Sequence, residues 1–143
     1  MTFPLEYAFQ KEFYRSFYTV VDGSVMISPE YVVKRGKCGG TIDFLVSSKG
    51  LGFELLRNRD KIVEHMNRFE VGGAYYHLID TRVMQKYIVL DFTCMMPHKQ
   101  RPEYQAHLYH AVFSDGFGNV SIVGTSNLEV VDRFTLLENS DPL

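Results

Sequence analysis

The 143-residue sequence contains no tryptophan, only two cysteines and no strong excess of either charge. No apolar run approaches the roughly 18 residues of a membrane-spanning helix, which sets aside a helical membrane protein. The opening "MTFPLEYAFQKEFYR" carries charges inside its apolar stretch and lacks a small-residue cleavage site, so no signal peptide is read there. Cys38 and Cys94 permit one disulfide, but two scattered thiols fit a reducing, intracellular compartment better. The formal net charge of −2 argues weakly against a dedicated nucleic-acid binder. No P-loop, dinucleotide-binding glycine fingerprint, nucleophile elbow or HExxH motif occurs, and those enzyme classes fall away with them.

What is present suits one domain, residues 1–143, with room for a real core. Apolar residues make up 45% and aromatics 14%, and Phe and Tyr pack well on pleated surfaces. Leu5, Ala8, Phe9, Phe13, Phe17 and Val20 form one helical stripe over 5–20. Residues 24–34 are extended and broken by Pro29, and "RGKCGG" reads as a glycine-rich connection. Residues 41–47 and 51–57 are short β-branched or aromatic runs joined by "SKG", which predicts two strands and a tight link. A second helix is expected over 58–70, capped by Asn58 and stopped by Gly72 and Gly73. "AYYHLI" is ambiguous. "KYIVLDFT", 86–93, reads as a strand buried on both faces, and 106–113 with 119–124 as a hairpin. A helix between two strands implies a crossover and a parallel pair. The class is therefore α/β with a mixed sheet.

Two consecutive apolar strands each carry one acid, Asp43 in "TIDFLVS" and Glu54 in "LGFELLR". Burying an ionised carboxylate is costly unless it is paired or holds a metal. Charge gathers around them: residues 34–68 hold eight basic and four acidic residues, net +4, leaving −6 for the rest. The acids can therefore be strand-end partners of Arg57, Arg59 or Lys61, or ligands of one hard divalent cation such as Mg²⁺ or Mn²⁺. Asp91 reads as a turn acid or a structural partner of Tyr or Arg. Cys94, His98, His107 and His110 are spaced C-x3-H-x8-H-x2-H, a weak zinc pattern, because His107 and His110 would face opposite sides of a strand.

The order helix, strand, strand, strand, helix, strand, with acids in the second and third strands, resembles the PD-(D/E)XK nuclease superfamily. The longer pattern "G-x-IDF…GFELLR…HxxRF…GG-x-YY…YIVLDF" is similar to nuclease-like domains at the C-termini of Crinkler-type effectors and their fungal relatives, over roughly residues 5–113. The resemblance implies a restriction-endonuclease-like mixed sheet with an added C-terminal β-hairpin. It implies metal-dependent phosphodiester hydrolysis on nucleic acid, DNA foremost, with Asp43, Glu54 and the main-chain carbonyl of Leu55 on the metal. Glu12 of the first helix would join them. The lysine expected two places after the Glu is Leu56. Its role would pass to Lys61, His65 or Arg68, which share a helix face at i, i+4, i+7, or to Arg57 at the strand end. A histidine there suits acid–base work near neutral pH, which makes His65 a candidate. Lys49, Arg59 and Arg68 would meet the nucleic acid. An effector module would enter a host cell and work in its nucleus. The alternative is an inactive relative that binds nucleic acid or a host protein.

Overall fold

The computed structural model describes residues 28–35, 38–114, 116 and 118–135, with side chains from Ile42 onward apart from Phe134. The expected first helix and Glu12 lie outside the described residues. Seven strands form one mixed sheet whose spatial order follows the chain: β1 (Ser28–Arg35), β2 (Cys38–Val46), β3 (Leu51–Arg57), β4 (Lys86–Thr93), β5 (Leu108–Ser114), β6 (Asn119–Gly124) and β7 (Val130–Thr135). β1, β2 and β3 are an antiparallel meander; β3, β4 and β5 run parallel; β6 and β7 return antiparallel. Two short helices, α1 (Ile62–Asn67) and α2 (Tyr76–Asp80), fill the β3–β4 crossover. The β4–β5 crossover has no α-helix, only a 3-10 turn at Pro102–Tyr104. No helix among the described residues is long and apolar enough to cross a membrane.

The period-two pattern of the strands builds two cores. Leu56 and Val89 face the helices, together with Leu108, and pack with Ile62, Met66, Phe69, Tyr75 and Leu78. Phe53 and Leu55 face the other way, with Phe44, Phe92, Ala111 and Phe113. Among the described side chains, alternation breaks in β2, where Ile42 and Leu45 are three apart yet share the helix-side core. Phe69, Tyr87 and His107 stack at centroid spacings of 3.9 Å. The His107 Nδ1–H donates to the Tyr87 carbonyl at 3.1 Å, which ties the end of the helical segment to β4 and to the entry of β5.

Three expectations are corrected. β2 begins at Cys38, so Gly39 and Gly40 are strand residues paired with Lys34 and Val33. The second helix is α1 alone, not 58–70. Asn58, Arg59 and Lys61 are left-handed, with φ of 53°, 58° and 53°. Asn58 lies outside α1, whose N-cap position is Lys61 with no side-chain cap; the Asn58 N–H goes to the Phe92 carbonyl at 2.8 Å and the Arg59 N–H to Asp91 Oδ1 at 2.6 Å. Those tertiary bonds outweigh local helix propensity, although a non-glycine residue in this region costs about 1–2 kcal/mol. The tail adds β7, a strand the sequence pattern did not announce, which pairs with β6 through an irregularity at Ile122/Val123.

Gly52 sits in β3 under Met84. A Cβ there would collide with Met84 Sδ and lie 2.9 Å from Ile42 Cδ1. Gly52→Ala is expected to destabilise the domain by about 1–3 kcal/mol, the usual cost of overpacking, as read by urea denaturation.

Candidate acidic site on strands β2 and β3

The β2–β3 ladder pairs Val46 with Leu51, Leu45 with Gly52 and Phe44 with Phe53, and ends there. One step further would set Asp43 opposite Glu54. At that step the Asp43 carboxylate replaces the backbone: Oδ2 accepts the Leu55 N–H at 2.7 Å. The half-buried Asp43 therefore sits between the strands at the point where they part.

Glu54 lies on the helix face, 2% exposed. The Tyr75 hydroxyl donates to Oε1 at 3.1 Å. His65 Nδ1 is 3.2 Å from Oε2, and Arg68 Nη1 is 3.6 Å from the same oxygen. Arg68 Nη1 is also 3.3 Å from His65 Nδ1, but one ring nitrogen cannot both donate to a carboxylate and accept from a guanidinium. The buried carboxylate decides between them: it needs donors more than the half-exposed guanidinium needs an acceptor. His65 Nδ1 therefore carries the proton toward Glu54. His65 and Arg68 reach the acid because they are three apart on the same side of α1 and its C-terminal turn. Tyr75 arrives because Gly73 lets the chain fold back: a Cβ on Gly73 would strike the Asn67 carbonyl and lie 2.5 Å from that of Arg68. The Tyr75 N–H then bonds to the Arg68 carbonyl at 2.7 Å.

Burial pushes the Tyr75 phenol far above its ordinary value of 10, and the Glu54 charge adds to the shift. Tyr75 is thus a fixed donor and not an acid or base.

The other expected site residues divide. Leu56 is buried at 2% in the helix-side core, so no cation takes its place on the strand. Leu55 contributes its N–H to Asp43, and its side chain packs in the opposite core. Lys61 is exposed at the left-handed N-cap of α1 and forms no ion pair with Glu54. Arg57 is half-buried at the end of β3. Lys49 and Arg59 lie beyond opposite ends of β3. The described residues hold no group of three or more His, Cys, Asp or Glu able to bind a metal. This leaves the C-x3-H-x8-H-x2-H pattern unassembled: His107 serves Tyr87, and Cys94 is a free thiol.

Two features escaped the sequence pattern. The first is Tyr75 as the third partner of Glu54. The second is a buried pair on the parallel strands. Asp91 and His110 are register partners in β4 and β5, 0% and 1% exposed, with Asp91 Oδ2 and His110 Nδ1 2.7 Å apart. Asp91 thus pairs with a histidine and a backbone amide, not with the expected Tyr or Arg side chain. His110 Nε2 is buried with no hydrogen-bond partner among the described residues. The legible signal was the placement of a polar residue two positions after an apolar one in each strand, Val89–Asp91 and Leu108–His110.

No family model, curated protein or solved structure matches the chain.

A phenol whose pKa is raised on folding contributes stability below its unfolded value that is lost as pH climbs past about 10. The stability advantage of the wild type over Tyr75→Phe is therefore expected to shrink between pH 9 and 11, measured by thermal melts of both proteins at each pH.

Proposed function

We propose that the chain is a nuclease-like domain that hydrolyses phosphodiester bonds of nucleic acid, DNA foremost, with Asp43 and Glu54 as its acidic pair. The observation that carries this reading is the convergence of His65 and Arg68 on Glu54. It supplies from the helix the positive charge that Leu56 withholds from the strand. The antiparallel meander, helical crossover and parallel β4 agree with the restriction-endonuclease-like arrangement.

The donor set fits a hard divalent cation. Mg²⁺ commonly takes one or two carboxylates and fills its shell with water and phosphate oxygens. Asp43 is half-buried at the seam between β2 and β3 and Glu54 lies on the adjacent strand, and both are the hard oxygen donors such an ion takes. Asp43 and Glu54 would hold Mg²⁺ or Mn²⁺, with the Leu55 carbonyl and Glu12 as the further ligands the resemblance implies. When bound, the ion polarises the phosphate and acidifies a water.

The chain's own groups do the rest. Tyr75, locked in its protonated form, fixes Oε1 of Glu54. His65 holds Oε2, and an imidazole suits proton transfer. The Arg68 side chain, 40% exposed, reaches solvent beside the acid and offers a planar fork to phosphate oxygens whose charge grows in the transition state. As in the effectors it resembles, the domain would act as a toxin module in the nucleus of a host cell.

A second reading is favoured by a specific observation: Glu54 is 2% exposed and has three protein partners. That arrangement equally serves an inactive domain of this fold that binds nucleic acid or a host protein.

Plasmid nicking in Mg²⁺ or Mn²⁺ separates the two. Asp43→Asn and Glu54→Gln are each expected to lower the rate at least about 100-fold, and Arg68→Ala about 10- to 100-fold. Equal nicking by wild type and both acid variants refutes the acidic pair. Absence of nicking alongside salt-sensitive DNA binding moves the assignment to the inactive reading.

A further inference from the structure

The loop from β3 into α1 is Arg57-Asn58-Arg59-Asp60-Lys61. Three of the five non-glycine residues with positive φ among the described residues fall in it. Local sequence does not set this shape. It is imposed from β4: the Phe92 carbonyl takes the Asn58 N–H, and Asp91 Oδ1 takes the Arg59 N–H at 2.6 Å. Asp91 is wholly buried. Its second oxygen meets His110 Nδ1 at 2.7 Å, and that histidine's other nitrogen has no partner among the described residues. The side-chain hydrogen bond that His110 makes is the one to Asp91. Here that bond orients Asp91, and Asp91 orients the loop.

The loop carries charge to the surface. Lys61 is exposed and Arg59 partly so. The Arg59 guanidinium donates to the Met95 carbonyl through a long, exposed bond of 3.4 Å, which lays it across the start of the β4–β5 connection. Asp60 is exposed between them and leaves the five-residue loop a net +2. The loop leaves the carboxyl end of parallel strand β3 beside that of β4, the edge of an α/β sheet where ligands bind. Glu54 lies three residues back on the same strand, about 10 Å at 3.3 Å per residue.

We propose that Asp91 and His110 are a positioning pair that presets the β3–α1 loop, so that Arg59 and Lys61 grip backbone phosphates of a nucleic-acid strand leading away from Glu54. This rests on the nucleic-acid reading above and extends it to a strand-holding surface. The partner is a nucleic-acid backbone and not its bases, because the loop offers cations and no exposed ring.

The test is binding of a fluorescein-labelled DNA oligonucleotide by anisotropy, in EDTA, across a KCl series. Each phosphate contact contributes about 0.9 to the slope of log K against log salt. Arg59→Ala/Lys61→Ala, at solvent-facing positions, is expected to flatten the slope by about 2. His110→Leu is expected to reproduce that loss and to move the Arg59 amide resonance in an ¹⁵N–¹H spectrum. His110→Asn, which keeps an N–H donor near the Nδ1 position, restores both. An unchanged slope in the double variant overturns the proposal. So does His110→Leu that folds and binds as wild type, or equal competition by a poly-glutamate peptide, which assigns the loop to an acidic protein. Nicking in parallel keeps the two readings apart. Glu54-dependent cleavage with an unchanged slope overturns the loop alone, and a loop-dependent slope without cleavage overturns only the catalysis.

Discussion

An ionised carboxylate in the middle of a strand that is buried on both faces must be met by donors, and in this chain that requirement organises much of what surrounds β3. Glu54 is 2% exposed. A phenol, an imidazole and a guanidinium reach it from three positions across one short helical segment. Each donor dictates something about the backbone that carries it. His65 and Arg68 must share a side of α1 and its last turn. Tyr75 must come back over Arg68, which only a residue without a Cβ at Gly73 permits. The helices are short because the segment has to bring three side chains to one carboxylate, and a single straight helix past Arg68 would carry Tyr75 away from it.

Asp43 solves the same problem by another route. It takes a backbone amide, that of Leu55, where the β2–β3 ladder ends. The alternation of side chains along β2 breaks between Ile42 and Leu45. A carboxylate that stands in for a ladder bond both opens the sheet and satisfies the amide that the opening exposes. The two acids are therefore not equivalent: one is enclosed by side-chain donors, the other is half-exposed at a seam in the sheet.

Much of this was legible in the sequence. β3 and β4 fall where their apolar runs place them, the parallel β3–β4 pair follows from the intervening helical pattern, and the spacing of His65 and Arg68 put both toward the acid-bearing strand. What was not legible depends on partners distant in sequence. The left-handed run at Asn58, Arg59 and Lys61 is set by Phe92 and Asp91, more than thirty positions away, so helix propensity over 58–61 pointed the wrong way. Tyr75 belongs to an aromatic-rich chain in which any one ring carries little signal. The Asp91–His110 pair appears only once β4 and β5 are known to be parallel neighbours in that register. β7 lies in a tail whose apolar stretch is too short to stand out.

The spatial order of the sheet has a consequence for how the chain acquires its structure. Every described strand lies beside the described strand before it in sequence, so among these strands each one docks on an edge already formed, with none threaded between two earlier ones. Such short-range pairing lowers the entropic barrier to assembly. The longest excursion between described strands is 58–85, between β3 and β4. It is the segment that delivers His65, Arg68 and Tyr75. The donors of Glu54 thus ride on the described connection whose closure costs the most chain entropy, and the site and the parallel β3–β4 pair draw on the same stretch of chain.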